Sequence, residues 1–196
     1  MTRTALFSFF TAAFALFLVL SVNMATAAKE KTPAQKAPTV ITEENMAEHI
    51  FSKDYKDWRL VCNKAETQCR IFQRLSLEQD KQLQTLLTAS LGTVKDKKGV
   101  VLTDMRLTSP IGVVLPLGMV FKVDEGEEVN VNYHVCTPEG CLAEFVLSDD
   151  GLKQLKKGTT MSVAYQIAGL PKPVNVGLSL KGFTKAHKEL IKRTAK

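Results

Sequence analysis

Val129-Asn130-Val131-Asn132-Tyr133-His134-Val135-Cys136-Thr137-Pro138-Glu139-Gly140-Cys141-Leu142-Ala143-Glu144-Phe145-Val146-Leu147 is the stretch whose reading decides the fold class of this chain. It reads as a strand, a four-residue turn closed by two cysteines, and a return strand. Val129, Val131, Tyr133 and Val135 alternate with Asn130, Asn132 and His134, the period of a half-buried strand. Thr137-Pro138-Glu139-Gly140 is turn chemistry, because proline presets φ and glycine accepts the left-handed region. The second arm is short, apolar and aromatic, which suits a strand. Cys136 and Cys141 then face each other where the arms converge.

The device recurs upstream. Asp57-Trp58-Arg59-Leu60-Val61-Cys62 alternates into a cysteine, Asn63 to Gln68 are polar or small, and Cys69-Arg70-Ile71-Phe72-Gln73 leaves as a second arm. Four cysteines allow three pairings. The reading favours the local disulfides Cys62–Cys69 and Cys136–Cys141. Loop entropy alone favours a crossed pairing, at about 4.5 kcal/mol against about 2–2.5 for each short loop. Hairpin geometry outweighs it, since opposed strand residues already stand about 4.5–5.5 Å apart. A four-cysteine zinc site lacks the tight C-x2-C knuckle, and no C-x-x-C redox pair exists.

The start of the chain reads as a targeting segment. Met1 to Thr4 carries Arg3, Ala5 to Val22 is almost wholly apolar, and Ala25-Thr26-Ala27 has the small-x-small form of a signal-peptidase site. Residues 1–27 are therefore expected to be a cleaved signal peptide. Residues 28–39, rich in Lys, Pro, Ala and Thr, read as a flexible linker. Residues 40–196 have the length of one domain. Paired cysteines agree with an oxidising destination.

The formal net charge is +6, from 26 basic and 20 acidic residues, and removing Arg3 with residues 1–27 leaves 25 against 20. Much of the excess lies near the ends: Lys29, Lys31, Lys36, then Lys181, Lys185, Lys188, Lys192, Arg193 and Lys196. Ordinary solubility accounts for such a balance, and peripheral contact with an anionic membrane surface, or with cell-surface glycans, is what it would otherwise suit. No nucleic-acid motif is present, and nucleic acid is not an expected partner.

Along residues 40–196, Thr42 to Phe51 suits a short capped helix with Met46 and Ile50 inward. Trp58, the sole tryptophan, reads as a core anchor. Ser76 to Gly92 is open between a capped helix with Leu83, Leu86 and Leu87 on one face and a strand over Leu86 to Leu91 after a long polar turn. Strand candidates follow at Val100 to Leu107, Met119 to Val123, Thr160 to Ile167 and Val174 to Leu180. Asp124 to Glu128 reads as a solvated acidic turn. Ser148 to Gly158 reads as a short helix with acids first, lysines last and Gly158 at the C-cap. Thr184 to Lys196 reads as a basic amphipathic helix with Ala186, Leu190 and Ile191 inward. The sum is a mainly β fold, a β-sandwich or partly closed barrel with disulfide-stapled hairpins and short peripheral helices.

Trp58-x-Leu60-x-Cys62, Cys69-x-Ile71-x-Gln73, Pro116-Leu117-Gly118-Met119, Tyr133-His134-x-Cys136, Gly140-Cys141-x-Ala143 and Leu178-Ser179-Leu180-Lys181-Gly182-Phe183 together resemble the invasion-associated locus B (IalB) family of Gram-negative bacteria. The resemblance spans about Asp57 to Leu190, and it implies strands rather than a helix over Leu86 to Leu91. It also implies a small β-rich exported protein of the periplasm or outer membrane, or a secreted one, associated with host-cell invasion. It supplies no catalytic residues.

The residues themselves point the same way. His49, His134 and His187 have no metal-ligand spacing, and no serine elbow or phosphate-binding loop is present. His134 lacks an orienting acid, and Asp149-Asp150 is explained as the start of a helix. No catalytic residue, metal site or cofactor is expected. The binding residues are not legible, and the expected partner is a host-cell surface or an envelope protein. A periplasmic binding or chaperone-like module for envelope maintenance is the alternative.

Overall fold

Leu60, Ile71, Leu91, Met105 and Phe145 stand side by side across five neighbouring strands of one sheet. The computed structural model that shows this describes residues 51–64, 68–79 and 81–194. The lane exists because each strand alternates with period two, so every second side chain turns to the same face. On the opposite face the same strands place Arg70, Ser90, Asp104, Arg106 and Glu144. A one-residue slip would exchange the two sets, and the register is pinned by that penalty.

That sheet has seven antiparallel strands in the order β1-β2-β3-β4-β5-β9-β8. The strands are β1 (Phe51–Tyr55), β2 (Trp58–Cys62), β3 (Cys69–Gln79), β4 (Gln82–Lys95), β5 (Val101–Ser109), β8 (Tyr133–Thr137) and β9 (Gly140–Val146). A second antiparallel sheet has the order β11-β10-β6-β7, built from β6 (Met119–Val123), β7 (Val129–Val131), β10 (Thr160–Tyr165) and β11 (Val174–Ser179). Its inward residues, among them Met119, Phe121, Met161, Val163, Tyr165 and Leu178, join those of the first sheet in one hydrophobic core. Phe121 stacks on Phe145 at 5.2 Å between ring centroids, and the Tyr165 hydroxyl donates to the Leu86 carbonyl at 2.6 Å. The architecture is a mainly β two-sheet sandwich, with no closed barrel.

Two helices complete it. In α1 (Asp149–Lys157) the Ser148 hydroxyl accepts from Gly151 N, acids occupy the first turn and lysines the last. Gly158 caps it without a left-handed φ, and a Cβ there would collide with Val123. The α2 helix (Phe183–Thr194) buries Phe183, Ala186, His187 and Leu190, while Ile191 is half-buried. Its Arg193 lies 3.4 Å above the Phe51 ring.

Two readings of the sequence need correction, one left open is settled as strand, and one is extended. Ser76 to Gly92 is not helical: β3 and β4 form one long hairpin, and Gln79 opposite Gln82 leaves a two-residue turn. Leu87, Ala89 and Leu91 are buried with period two, and that cross-sheet burial outweighs the local capping-box pattern. Phe51 opens β1 rather than closing a helix, and the rest of that helix lies outside the described residues, as do the expected signal peptide and linker. The arm from Val129 to Cys136 is not one strand. It breaks at Asn132, with β7 in the small sheet and β8 in the large one, so Val131 is buried but Val129 and Val135 are exposed. Asp124 is not merely solvated: its carboxylate accepts from Thr159 N at 3.0 Å and Thr160 N at 2.9 Å, tying the acidic turn to β10.

Candidate functional site

The break at Asn132 makes a single segment the outer strand of both sheets. β7 is terminal in the small sheet and β8 in the large one. The segment Val129 to Thr137 carries no charged residue and no proline, the devices that usually protect an open strand edge. His134, Val135, Cys136 and Thr137 are all exposed, and Val129 is too. Cys136 is joined to the buried Cys141 directly across the hairpin, and Thr137 faces Gly140 beyond them. At the inner end the Tyr133 hydroxyl lies 3.3 Å from the Ser109 hydroxyl, and partial burial raises the phenol pKa. The pairing slips between Tyr133 and Val135, and His134 is exposed beside the irregularity.

A second polar group is buried. Arg70 on β3 donates to the Asp104 carboxylate at 2.7 Å and to the Ser90 carbonyl at 3.3 Å. Arg106 lies 3.7 Å from the same carboxylate and donates to Glu144 at 2.7 Å. Asp104 is 2% exposed and its Oδ1 has no hydrogen-bond partner among the described residues. Burial lowers the Arg70 pKa, opposed by the attraction of Asp104. Gly92 is required beside this group, since a Cβ would run into the Arg70 guanidinium. The side chains alternate in sign across β3, β5 and β9 and bind one another. They form a structural brace across three strands of the large sheet.

His187 is another buried titratable group. Its Nε2 lies 3.0 Å from the Thr103 hydroxyl and its ring stacks on Phe183. Burial, with a smaller contribution from Lys156, lowers its pKa to about 4. His49 lies outside the described residues. Among the described residues no group of three or more His, Cys, Asp or Glu side chains is arranged to hold a metal. A shallow hollow of about 280 Å³ lies beside Asp54, Asp57, Trp58, Arg59 and Gln73. Its groups are largely committed: the Trp58 ring N–H donates to the Ser179 carbonyl, Gln73 Nε2 to the Asp57 and Ser179 carbonyls, and Arg59 pairs with Asp54. Asp150 binds Lys153 at 2.9 Å at the start of α1.

Residues 58–191 match the family described as invasion associated locus B (IalB) protein. The chain belongs to the IalB family. It is 34% identical over 135 residues to an invasion protein B homologue of Brucella abortus, covering 68% of this chain and 75% of that protein. It is 27% identical over 180 residues to invasion protein B of Bartonella bacilliformis, covering 90% and 94%. Among solved structures, invasion associated protein B from Bartonella henselae superposes with a TM-score of 0.63 at 23% identity, covering 74% of this chain and 99% of that one. The last match carries the fold alone.

In this IalB-family chain the structure joins Cys62 to Cys69 and Cys136 to Cys141, each at a Cα–Cα distance of 4.0 Å. It does not bring His134 and His187 together, since one lies exposed on β8 and the other is on the buried face of α2. Reading the sequence missed the Arg70–Asp104–Arg106–Glu144 brace and the burial of His187. The alternation around Met105 puts Asp104 and Arg106 on one face, so their proximity was available. The burial of Asp104 and Arg70 was not, because a charged face ordinarily reads as solvated.

Proposed function

We propose that this IalB-family protein is an exported, non-enzymatic interaction protein of the envelope or the extracellular space that acts in host-cell entry. The observation that carries the interaction reading is the open, uncharged edge from Val129 to Thr137, outermost in both sheets. An unpaired edge offers a row of N–H and C=O groups to an extended segment of a partner, with Val129 and Val135 as apolar contacts. The names of the relatives support the role in entry. The apolar N-terminal run and the two disulfides support export.

The test is a strain carrying Val135→Lys in place of the native gene, with surface accessibility measured by protease on intact cells. A lysine at this exposed position leaves the core intact and blocks strand addition. Reduced adhesion and entry at normal protein abundance is the expected outcome. Unchanged entry would remove the edge as the contact surface. Full protection from protease until the outer membrane is opened, with sensitivity to envelope stress and normal entry, would transfer the edge to a periplasmic, chaperone-like role.

A further inference from the structure

The two helices meet at their ends. The Thr184 hydroxyl at the start of α2 donates to the Lys156 carbonyl at the end of α1, at 3.0 Å. Around this junction lie Lys156 and Lys157 of α1, Lys181 just before α2, and Lys185, Lys188 and Lys192 along it, all exposed. The spacing of 181, 185, 188 and 192 follows the helical repeat and lies opposite the buried stripe of Phe183, Ala186, His187 and Leu190. None of these six lysines forms an ion pair among the described residues. Lys153 is excluded because it is tied to Asp150, and the one acid of α2, Glu189, is tied to Arg193.

Helix electrostatics explains part of this charge. Lys156 and Lys157 close α1, where a cation complements the dipole. Lys181 and Lys185 sit at the opposite kind of end. They flank the N-terminus of α2, where the dipole disfavours cations, and no acid occupies that first turn. The positive charge there is kept against the preference of the helix, which points to something outside the molecule.

We infer that this two-helix face docks on an anionic lipid bilayer. The lysines lie on two helices joined at their ends rather than in a single row, and a fluid array of headgroups can rearrange to meet them where a linear polyanion would follow one line. All six are lysines, point charges without the planar fork that reads individual phosphate or sulfate groups. No large exposed apolar residue lies on either helix, so the contact is electrostatic and peripheral, without insertion. Such binding weakens steeply with salt.

The experiment is co-sedimentation of the protein, as its producing cell processes it, with vesicles of phosphatidylcholine alone or with phosphatidylglycerol at about one lipid in three. The readout is the binding that depends on phosphatidylglycerol. Lys185→Glu with Lys188→Glu should lower it by at least about tenfold while leaving the thermal midpoint unchanged, because both side chains are exposed. Lys97→Glu with Lys98→Glu in the β4–β5 turn makes the same change in net charge and should leave it near the native level. If the charge reversals disturb folding, Lys185→Gln with Lys188→Gln supplies the same comparison with a smaller loss. Equal losses in the two regions would show a net-charge effect and overturn the proposal. So would the absence of phosphatidylglycerol-dependent binding, including the case in which heparin alone is bound.

Discussion

The two disulfide hairpins share one local design in two different settings. In both, directly opposed strand residues carry the cysteines, with Cα atoms 4.0 Å apart, and the sequence separations are 7 and 5. Cys62–Cys69 joins β2 to β3, with β1 and β4 outside them, and both cysteines are buried in the core. Cys136–Cys141 joins the terminal β8 to β9, with Cys136 in solvent. The inner hairpin lies beneath α2, beside Trp58 and its edge-to-face partner Phe183. The outer one has no further strand beyond it among the described residues. Similar staples thus serve a packed centre in one place and hold an open edge in shape in the other.

Removing the staples sharpens this contrast most. Cys62→Ser with Cys69→Ser should cost about 4 kcal/mol, combining the lost loop constraint with two hydroxyls placed in the core. Cys136→Ser with Cys141→Ser should cost about 2 kcal/mol, mainly the loop term. Urea denaturation of both variants under non-reducing conditions decides it, and equal costs would break the comparison. Next is the buried brace near the centre. Arg70→Met leaves Asp104 with only the longer contact to Arg106, and should cost about 3 kcal/mol. Arg59→Ala, which breaks an exposed pair with Asp54, should cost no more than about 0.5 kcal/mol in the same assay.

His187 supplies a pH test of the same region. Its folded pKa is lowered to about 4 from a usual 6.5, so between these values the unfolded chain binds more protons than the folded one. Its contribution is complete above about pH 6.5 and is lost as pH falls towards 4, an expected loss of about 3 kcal/mol. The gap between the native chain and His187→Phe should change by about that amount between pH 6.5 and 4, with the native chain losing more stability than the variant as pH falls. Parallel curves would show that α2 does not hold this histidine neutral. The smallest effect belongs to the edge: Val135→Lys should change stability by less than about 0.5 kcal/mol, since the side chain is already exposed. A larger loss would mean that β8 is not a free edge.

Local pattern made much of the sandwich legible. The alternation of Trp58, Leu60 and Cys62, the turn chemistry at Pro138 to Gly140, and the capped run from Ser148 to Gly158 are local signals, and the corresponding strands and helix lie where the chain puts them. The family motifs were likewise readable, because each is tied to a hairpin or a helix start. What local pattern could not decide was how strands are shared between sheets. The valines at 129, 131 and 135 look equivalent in sequence, yet only Val131 is buried, because the chain crosses from one sheet to the other at Asn132. The capping-box residues at Ser76 to Gln79 became strand because Leu75 meets Leu87 and Ile71 meets Leu91 across β3 and β4. Composition and spacing by themselves determined the β class, the hairpins and the excess of lysine near the end of the chain. Tertiary structure alone decided which edge lies outermost, which charges are buried and which two helices meet at their ends. Each of these depends on contacts between residues far apart in sequence, and no period within a single strand or helix encodes them.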